Sequence, residues 1–154
     1  MALTHLNQRG EAHIVDIGDK SATRRRAVAQ ARLEAKPETI DAIMGGALKK
    51  GDALAVARVA GIMAAKKTAE LIPLCHPIPL TGVSVEIDAA GSALAITATA
   101  ETTGKTGVEM EALTAATVAA LTLYDMAKSM DRGMTITAVQ LVEKTGGKSG
   151  DFKR

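Results

Sequence analysis

Aromatic side chains are almost missing from this 154-residue chain: Tyr124 and Phe152 are its two, and it has no tryptophan. A core without rings must be assembled from Ala, Val, Ile, Leu and Met, and small side chains bury little apolar area each. Such a core is thin, which implies that contacts between subunits add to its stability. The same lack removes the stacking platforms that single-stranded nucleic acid needs. Strong charge of one sign is also missing. The formal net charge is +2, with the basic residues spread along the chain, which gives no field for duplex binding. Cysteine is limited to Cys75, so no internal disulfide can form, a reducing compartment is suited, and a zinc site lacks its second thiolate. Long hydrophobic runs are absent too. The N-terminus, MALTHLNQRGEAHIVDIG, has no hydrophobic signal core, and the longest uncharged apolar run, Ala112–Tyr124, contains three threonines and is too short to span a bilayer. These absences predict a cytoplasmic protein with no membrane or nucleic-acid partner.

What is present is ordinary globular material. Hydrophobic residues make up 47% and charged residues 23%, and the length suits one domain over 1–154 that buries roughly two-thirds of its unfolded surface. Residues 1–11 read as a polar arm, followed by a short strand at Ala12–Ile17 before Gly18-Asp19. Ser21–Lys36 fits two patterns. Its propensity favours helix, whereas a strand would put Arg25, Ala27, Ala29, Ala31 and Leu33 on one face, with Arg25 as the inward arginine. Pro37 begins a helix through Ile40, Ile43, Met44, Ala47 and Leu48 to Gly51. Asp52 caps a second, with Ala53, Val56, Ala57, Ala60, Met63 and Ala64 inward, which Pro73 ends. Val83, Val85 and Ile87 alternate with polar residues, and after Gly91 Leu94, Ile96, Ala98 and Ala100 alternate with Ala95, Thr97 and Thr99, as in a β-hairpin. Gly107–Met130 is a long helix, Met134–Glu143 a last strand, and residues 144–154 a Gly/Lys-rich tail. The order β, α, α, β, β, α, β is the split βαβ plan of a ferredoxin-like α+β sandwich with an antiparallel sheet and one extra helix. The sheet face away from the helices also carries apolar alternate residues, which predicts covering by another subunit.

The long helix is apolar over most of its circumference, yet Glu111, Thr114, Thr122, Asp125 and Ser129 share one narrow arc. That stripe faces either a cleft or water; buried charges would be costly to desolvate unless paired. Leu71–Leu80, LIPLCHPIPL, holds Cys75 and His76 between prolines that fix φ, which gives a general acid/base residue a defined direction. The competing reading is a hydrogen-bonded structural histidine. His5 and His13 belong to the arm, away from Cys75, so a metal site has little support. Gly104-Lys105-Thr106-Gly107 and Gly146-Gly147-Lys148-Ser149-Gly150 resemble phosphate loops. Neither is a Walker A motif, because the required first glycine is replaced by Thr99 or Val142. Both remain candidate anion sites, the first because it leads into a helix N-terminus.

Together LIPLCHP (71–77), GKTGVEMEALTAA (104–116), YDMAK (124–128), GGKSGDF (146–152) and KGD (50–52) resemble the MoaC-type family, the cyclic pyranopterin monophosphate synthases of molybdenum-cofactor biosynthesis. The resemblance covers nearly the whole chain and is loosest in residues 1–35. It implies a lyase that converts 3′,8-cyclo-7,8-dihydroguanosine 5′-triphosphate to cyclic pyranopterin monophosphate with release of diphosphate. It also implies a ferredoxin-like subunit in a homo-oligomer, a hexamer built as a trimer of dimers, with active sites at the dimer interface. By similarity Leu74, Cys75, His76, Met110 and Glu111 contact substrate, Asp125 is the acid/base residue, and Lys50, Lys128, Lys144, Lys148 and Arg25 match positions used in the site.

Bottom-up chemistry agrees. A triphosphate needs several cations, which Lys50, Lys144, Lys148 and Arg25 could supply. Opening a guanine-derived ring and closing a pterin needs proton transfers, suited to Asp125, Lys128 and His76. The rearrangement moves no net electrons, so no cofactor and no protein-bound metal is expected, though magnesium could accompany the triphosphate. A non-catalytic nucleotide- or phosphate-binding regulatory module of the same fold is the alternative. Finally, Glu111 and Asp125 stand 14 residues apart, about 21 Å along a straight helix. One nucleotide hardly spans that, which favours a site shared across a two-fold interface.

Overall fold

The computed structural model describes residues 4–154; the first three residues of the expected arm lie outside them. Ser21–Lys36, open to two readings in sequence, forms strand β1 (Thr23–Glu34). Its helix propensity is overridden because the strand is central, hydrogen-bonded on both sides. The chain then runs through helices α1 (Pro37–Met44), α2 (Ala53–Lys66) and α3 (Thr68–Leu71), strands β2 (Gly82–Ala90) and β3 (Ala93–Gly104), helix α4 (Glu109–Ala127), and strands β4 (Thr135–Thr145) and β5 (Phe152–Lys153). The antiparallel sheet has the order β2-β3-β1-β4-β5, the arrangement of a ferredoxin-like α+β sandwich with the two-residue β5 added at one edge. β1 pairs with β3 from Thr23↔Gly104 to Glu34↔Ala93. That register brings the start of β1, the end of β3 and the loop into α4 to one end of the molecule.

The core lies between the sheet and α2 and α4. Ala27, Ala29, Ala31 and Leu33 of β1 point into it with Leu94, Ile96, Ala98 and Ala100 of β3. From the helix side come Ala57 and Ala65 of α2 and Ala112, Ala115, Ala116, Ala119 and Ala120 of α4. The shortage of aromatics is matched by close helix packing: a Cβ on Gly61 would lie 3.0 Å from the Ala115 carbonyl oxygen and 3.0 Å from Val85 Cγ2.

Several expectations are corrected. Ala12–Ile17 is not a strand; the arm makes one isolated bridge, Leu6↔Ala12, and is shaped by Asn7, whose Oδ1 accepts from the Arg9 and Glu11 amides. α1 stops at Met44 because Gly45 and Gly46 follow, and Gly46 takes φ +72. In α2 the Asp52 cap is present, 3.1 Å from the Ala55 amide, but Val56 and Met63 face outward; the buried stripe is Ala53, Ala57, Gly61, Ala64 and Ala65. Small residues win the inner face because α4 packs so near. The open sheet face is polar: Arg26 bridges Glu101 and Glu143, Arg32 pairs with Glu34, and Gln30 meets Thr97. The C-terminal tail is partly strand, with Lys144 in β4 and Phe152 paired to it from β5.

Candidate active site

The N-terminal end of α4 gathers most of the singled-out residues. Arg25 is 7% exposed on the inner face of β1, and its Nε donates to the Gly104 carbonyl at 3.2 Å, so the guanidinium holds the GKTG loop. The GGKSG loop folds over the same place. A Cβ on Gly146 (φ +90) would fall 2.2 Å from the Arg24 carbonyl oxygen, and only glycine permits that approach. Lys148 consequently stands beside Arg25 at the rim of a cavity of about 500 Å³. Lys144, half-buried, pairs with Glu109 at 3.3 Å and donates to Ser149.

A second cavity, of about 380 Å³, is lined by Leu74, Cys75, His76, Met110 and Glu111. It is closed by Ile78, by Thr106, Gly107 and Glu109 at the entry to α4, and by the segment before β1, from His5 in the arm to Lys20; Lys20 also lines the cavity beside Arg25 and Lys148. His5 is therefore near Cys75 rather than away from it. His76 Nε2 lies 2.6 Å from the Val15 carbonyl. A carbonyl can only accept, so Nε2 carries the hydrogen and Nδ1 is the basic nitrogen. Both readings of His76 thus meet in one residue, held by the backbone and facing a cavity.

Glu111 is 3% exposed, and its carboxyl is pushed up to about 7, first by desolvation, with the nearby Glu109 charge adding and its own backbone amide opposing. At neutral pH this group can donate a proton or a hydrogen bond. Burial, and then the Glu111 charge, raise the Cys75 thiol, which keeps it protonated. Among the described residues no group of three or more His, Cys, Asp or Glu is placed to hold a metal ion.

The opposite end of α4 carries a different cluster. Asp125 Oδ1 is 2.9 Å from Lys128 Nζ, one helical turn on, and Oδ2 is 3.2 Å from Lys50 Nζ, which also donates to the Asp125 carbonyl at 3.2 Å. Lys50 reaches there from the loop that follows α1. Hydrogen bonds from Lys128 and then Lys50 hold the Asp125 carboxyl below the usual aspartate range, although its side chain is 56% exposed. A carboxylate between two ammonium groups can accept a proton and stands beside two donors.

The polar arc of the sequence therefore splits: its Glu111 end faces a cleft and its Asp125 end faces water. Within one subunit Arg25, Leu74, Cys75, His76, Met110, Glu111, Lys144 and Lys148 come together, while Lys50, Asp125 and Lys128 form a separate group. Reasoning from sequence missed the arm's part in the cavity. Lys20, three residues before the strand that carries Arg25, was the available signal.

A family model described as the MoaC family matches residues 14–147. The chain is 60% identical over 153 residues to the cyclic pyranopterin monophosphate synthase of Herpetosiphon aurantiacus, covering 98% of this chain and 93% of that protein. It is 60% identical over 154 residues to the protein of the same name from Pelotomaculum thermopropionicum, covering 99% and 91%. For that of Thermomicrobium roseum the identity is 58% over 154 residues, covering 99% and 93%.

Proposed function

Given that this chain belongs to the MoaC family, we propose that it is a cyclic pyranopterin monophosphate synthase, converting 3′,8-cyclo-7,8-dihydroguanosine 5′-triphosphate to cyclic pyranopterin monophosphate and diphosphate. The observation that carries this reading at the level of chemistry is Asp125 held between Lys50 and Lys128 at 3.2 and 2.9 Å. A module that only binds phosphate has no use for an exposed, preformed proton-transfer cluster away from its anion loops.

In this reading Arg25, Lys144 and Lys148 bind the triphosphate, and the GKTG and GGKSG loops lie at its side. Leu74, Cys75, His76, Met110 and Glu111 receive the guanine-derived part. His76 offers Nδ1, and Glu111 offers a protonated carboxyl that can donate to a ring carbonyl or nitrogen. Asp125 acts as the acid/base residue, with Lys128 and Lys50 as donors and as charges that steady anionic intermediates. The reaction moves no net electrons, so these residues need no redox partner; magnesium can enter with the triphosphate.

Both clusters serve one site if Asp125, Lys128 and Lys50 of one subunit meet the Glu111 cavity of another. About 21 Å of helix between Glu111 and Asp125 supports that arrangement, as do Val59, Met63 and Leu121, exposed apolar residues on α2 and α4 that a neighbouring subunit would cover. The corresponding assembly is a homo-oligomer of two-fold dimers, a hexamer as a trimer of dimers. The polar open face of the sheet is not where that covering is needed. The test is to incubate the purified protein alone with the cyclic triphosphate. The expected result is one diphosphate released per cyclic pyranopterin monophosphate formed; binding without turnover would leave only the phosphate-binding module.

A further inference from the structure

Helix α1 begins without a cap of its own. Lys36 at its N-cap makes no side-chain hydrogen bond to the first turn, and Pro37 has no amide to offer. The start of the helix is instead tied down from 95 residues further along the chain. Asp131 Oδ2 accepts from the Lys36 amide at 2.9 Å and from Thr39 Oγ1 at 3.1 Å. Asp131 is 3% exposed and Thr39 is fully buried. Such a carboxylate is tolerable only where hydrogen bonds replace water, and here the Lys36 amide and the Thr39 hydroxyl supply them, holding the carboxyl below the usual aspartate range.

Asp131 stands in the turn that ends α4. Its own amide donates to the Ala127 carbonyl at 3.2 Å, and Tyr124 Oη in the last turn donates to the Arg132 carbonyl at 2.9 Å. The side chain therefore ties the start of α1 to the helix end that carries Asp125 and Lys128. At its other end α1 runs into the 45–52 loop, whose Lys50 bonds twice to Asp125. The segment 36–50 is thus fastened to the end of α4 at two points. One is buried, the Asp131 carboxylate; the other is half-exposed, the Lys50 ammonium. Between them Ile40 and Ile43 enter the core.

We propose that Asp131 is a positioning residue for the Lys50–Asp125–Lys128 cluster: by anchoring the start of α1 through Lys36 and Thr39 it sets where the loop after α1 presents Lys50 to Asp125. It touches none of the reacting groups itself. The importance of the cluster for turnover rests on the function proposed above, but the geometric link does not.

The link is read from the titration of Asp125. In protein carrying ¹³C-labelled aspartate, the Asp125 carboxyl is followed by NMR in the parent, Asp131→Ala, Asp131→Asn, Lys50→Ala and the Asp131→Ala/Lys50→Ala double variant. Asp131→Ala is expected to raise the Asp125 midpoint toward the ordinary aspartate value, as Lys50→Ala does, and the double variant should go no further than Lys50→Ala alone. Asp131→Asn, which keeps an acceptor oxygen for Lys36 and Thr39, should stay closer to the parent. In turnover Asp131→Ala should lower kcat about 10- to 100-fold, with KM for the triphosphate little changed, since misplacing a reacting group by about an ångström has effects of that order. Should Asp131→Ala not fold, Thr39→Val removes one of the two hydrogen bonds and should move the midpoint in the same direction, with Thr39→Ser restoring it. A variant that melts earlier but keeps the parental Asp125 midpoint in its folded state overturns the proposal. A shifted midpoint with unchanged turnover upholds it and instead removes the cluster from the chemistry.

Discussion

At its N-terminal end α4 carries Glu111 with 3% of its surface exposed and its carboxyl raised to about 7, while at its C-terminal end it carries Asp125, mostly in water and lowered by two lysines. Both residues lie on one arc of one helix, and their environments push them in opposite directions. Desolvation governs the first and ion pairing the second. At neutral pH the same face of α4 therefore offers a carboxyl that can still give a proton and a carboxylate that stays ionised beside two ammonium donors. Pairs of groups driven apart in this way are suited to acid/base chemistry.

The largest effect that bears on this comparison is expected at the exposed end. Asp125→Asn should lower kcat by about a thousandfold or more, within the range for losing an acid/base group, and leave thermal stability nearly unchanged because the side chain packs against nothing in the core. A steady-state assay with a parallel melting curve checks both; near-parental turnover would remove Asp125 from the chemistry. At the other end, Lys148→Ala should weaken binding of the triphosphate about tenfold or more, while binding of the corresponding nucleoside without phosphates changes little. Calorimetry on the two ligands measures the difference, and equal losses would take Lys148 out of the phosphate site.

The smallest effect is on stability. Because the Glu111 carboxyl is raised in the folded protein above its value of 4.5 in the open chain, its stabilising contribution is complete below about 4.5 and is lost as pH rises through about 7. Glu111→Gln has no such loss, so its Tm relative to the parent should rise between pH 4.5 and 8. Asp125 has the opposite sign: lowered in the folded state, its pairing is present above the ordinary aspartate value of 3.8 and fades in acid. Solvent screening keeps that contribution small. Melting curves across this pH range would break the comparison if Glu111→Gln tracked the parent throughout.

Much of this contrast was legible in the sequence, and its limits have physical causes. α4 and the β2–β3 hairpin stand out because their periodicities are long and unbroken, and Gly91 at φ +63 makes the turn between the strands. The segment around Arg25 was ambiguous because Ala, Arg and Gln suit a helix while its alternation suits a strand. Neighbouring strands on both sides decided it, and they are remote in sequence. In α2, apolar character pointed to Val56 and Met63, but the interface with α4 selects for small size instead. The contact of Val15 with His76, and the hold of Asp131 on the start of α1, span 61 and 95 residues, for which no local pattern exists. The separation of Glu111 from Asp125 needed only helix rise.

That separation supplies the most direct test of the central claim, that the two ends of α4 work together across a subunit interface. Glu111→Ala and Asp125→Asn proteins, each nearly inactive alone, are mixed, refolded together and assayed after the mixed dimers are demonstrated by mass or by tag. One site of each mixed dimer would contain only unmutated residues and the other would carry both lesions. For independent sites and random pairing, the account predicts recovery of about a quarter of the parental activity. No recovery in demonstrated mixed dimers would contradict it, placing both residues in a single subunit's site or removing Glu111 from the chemistry.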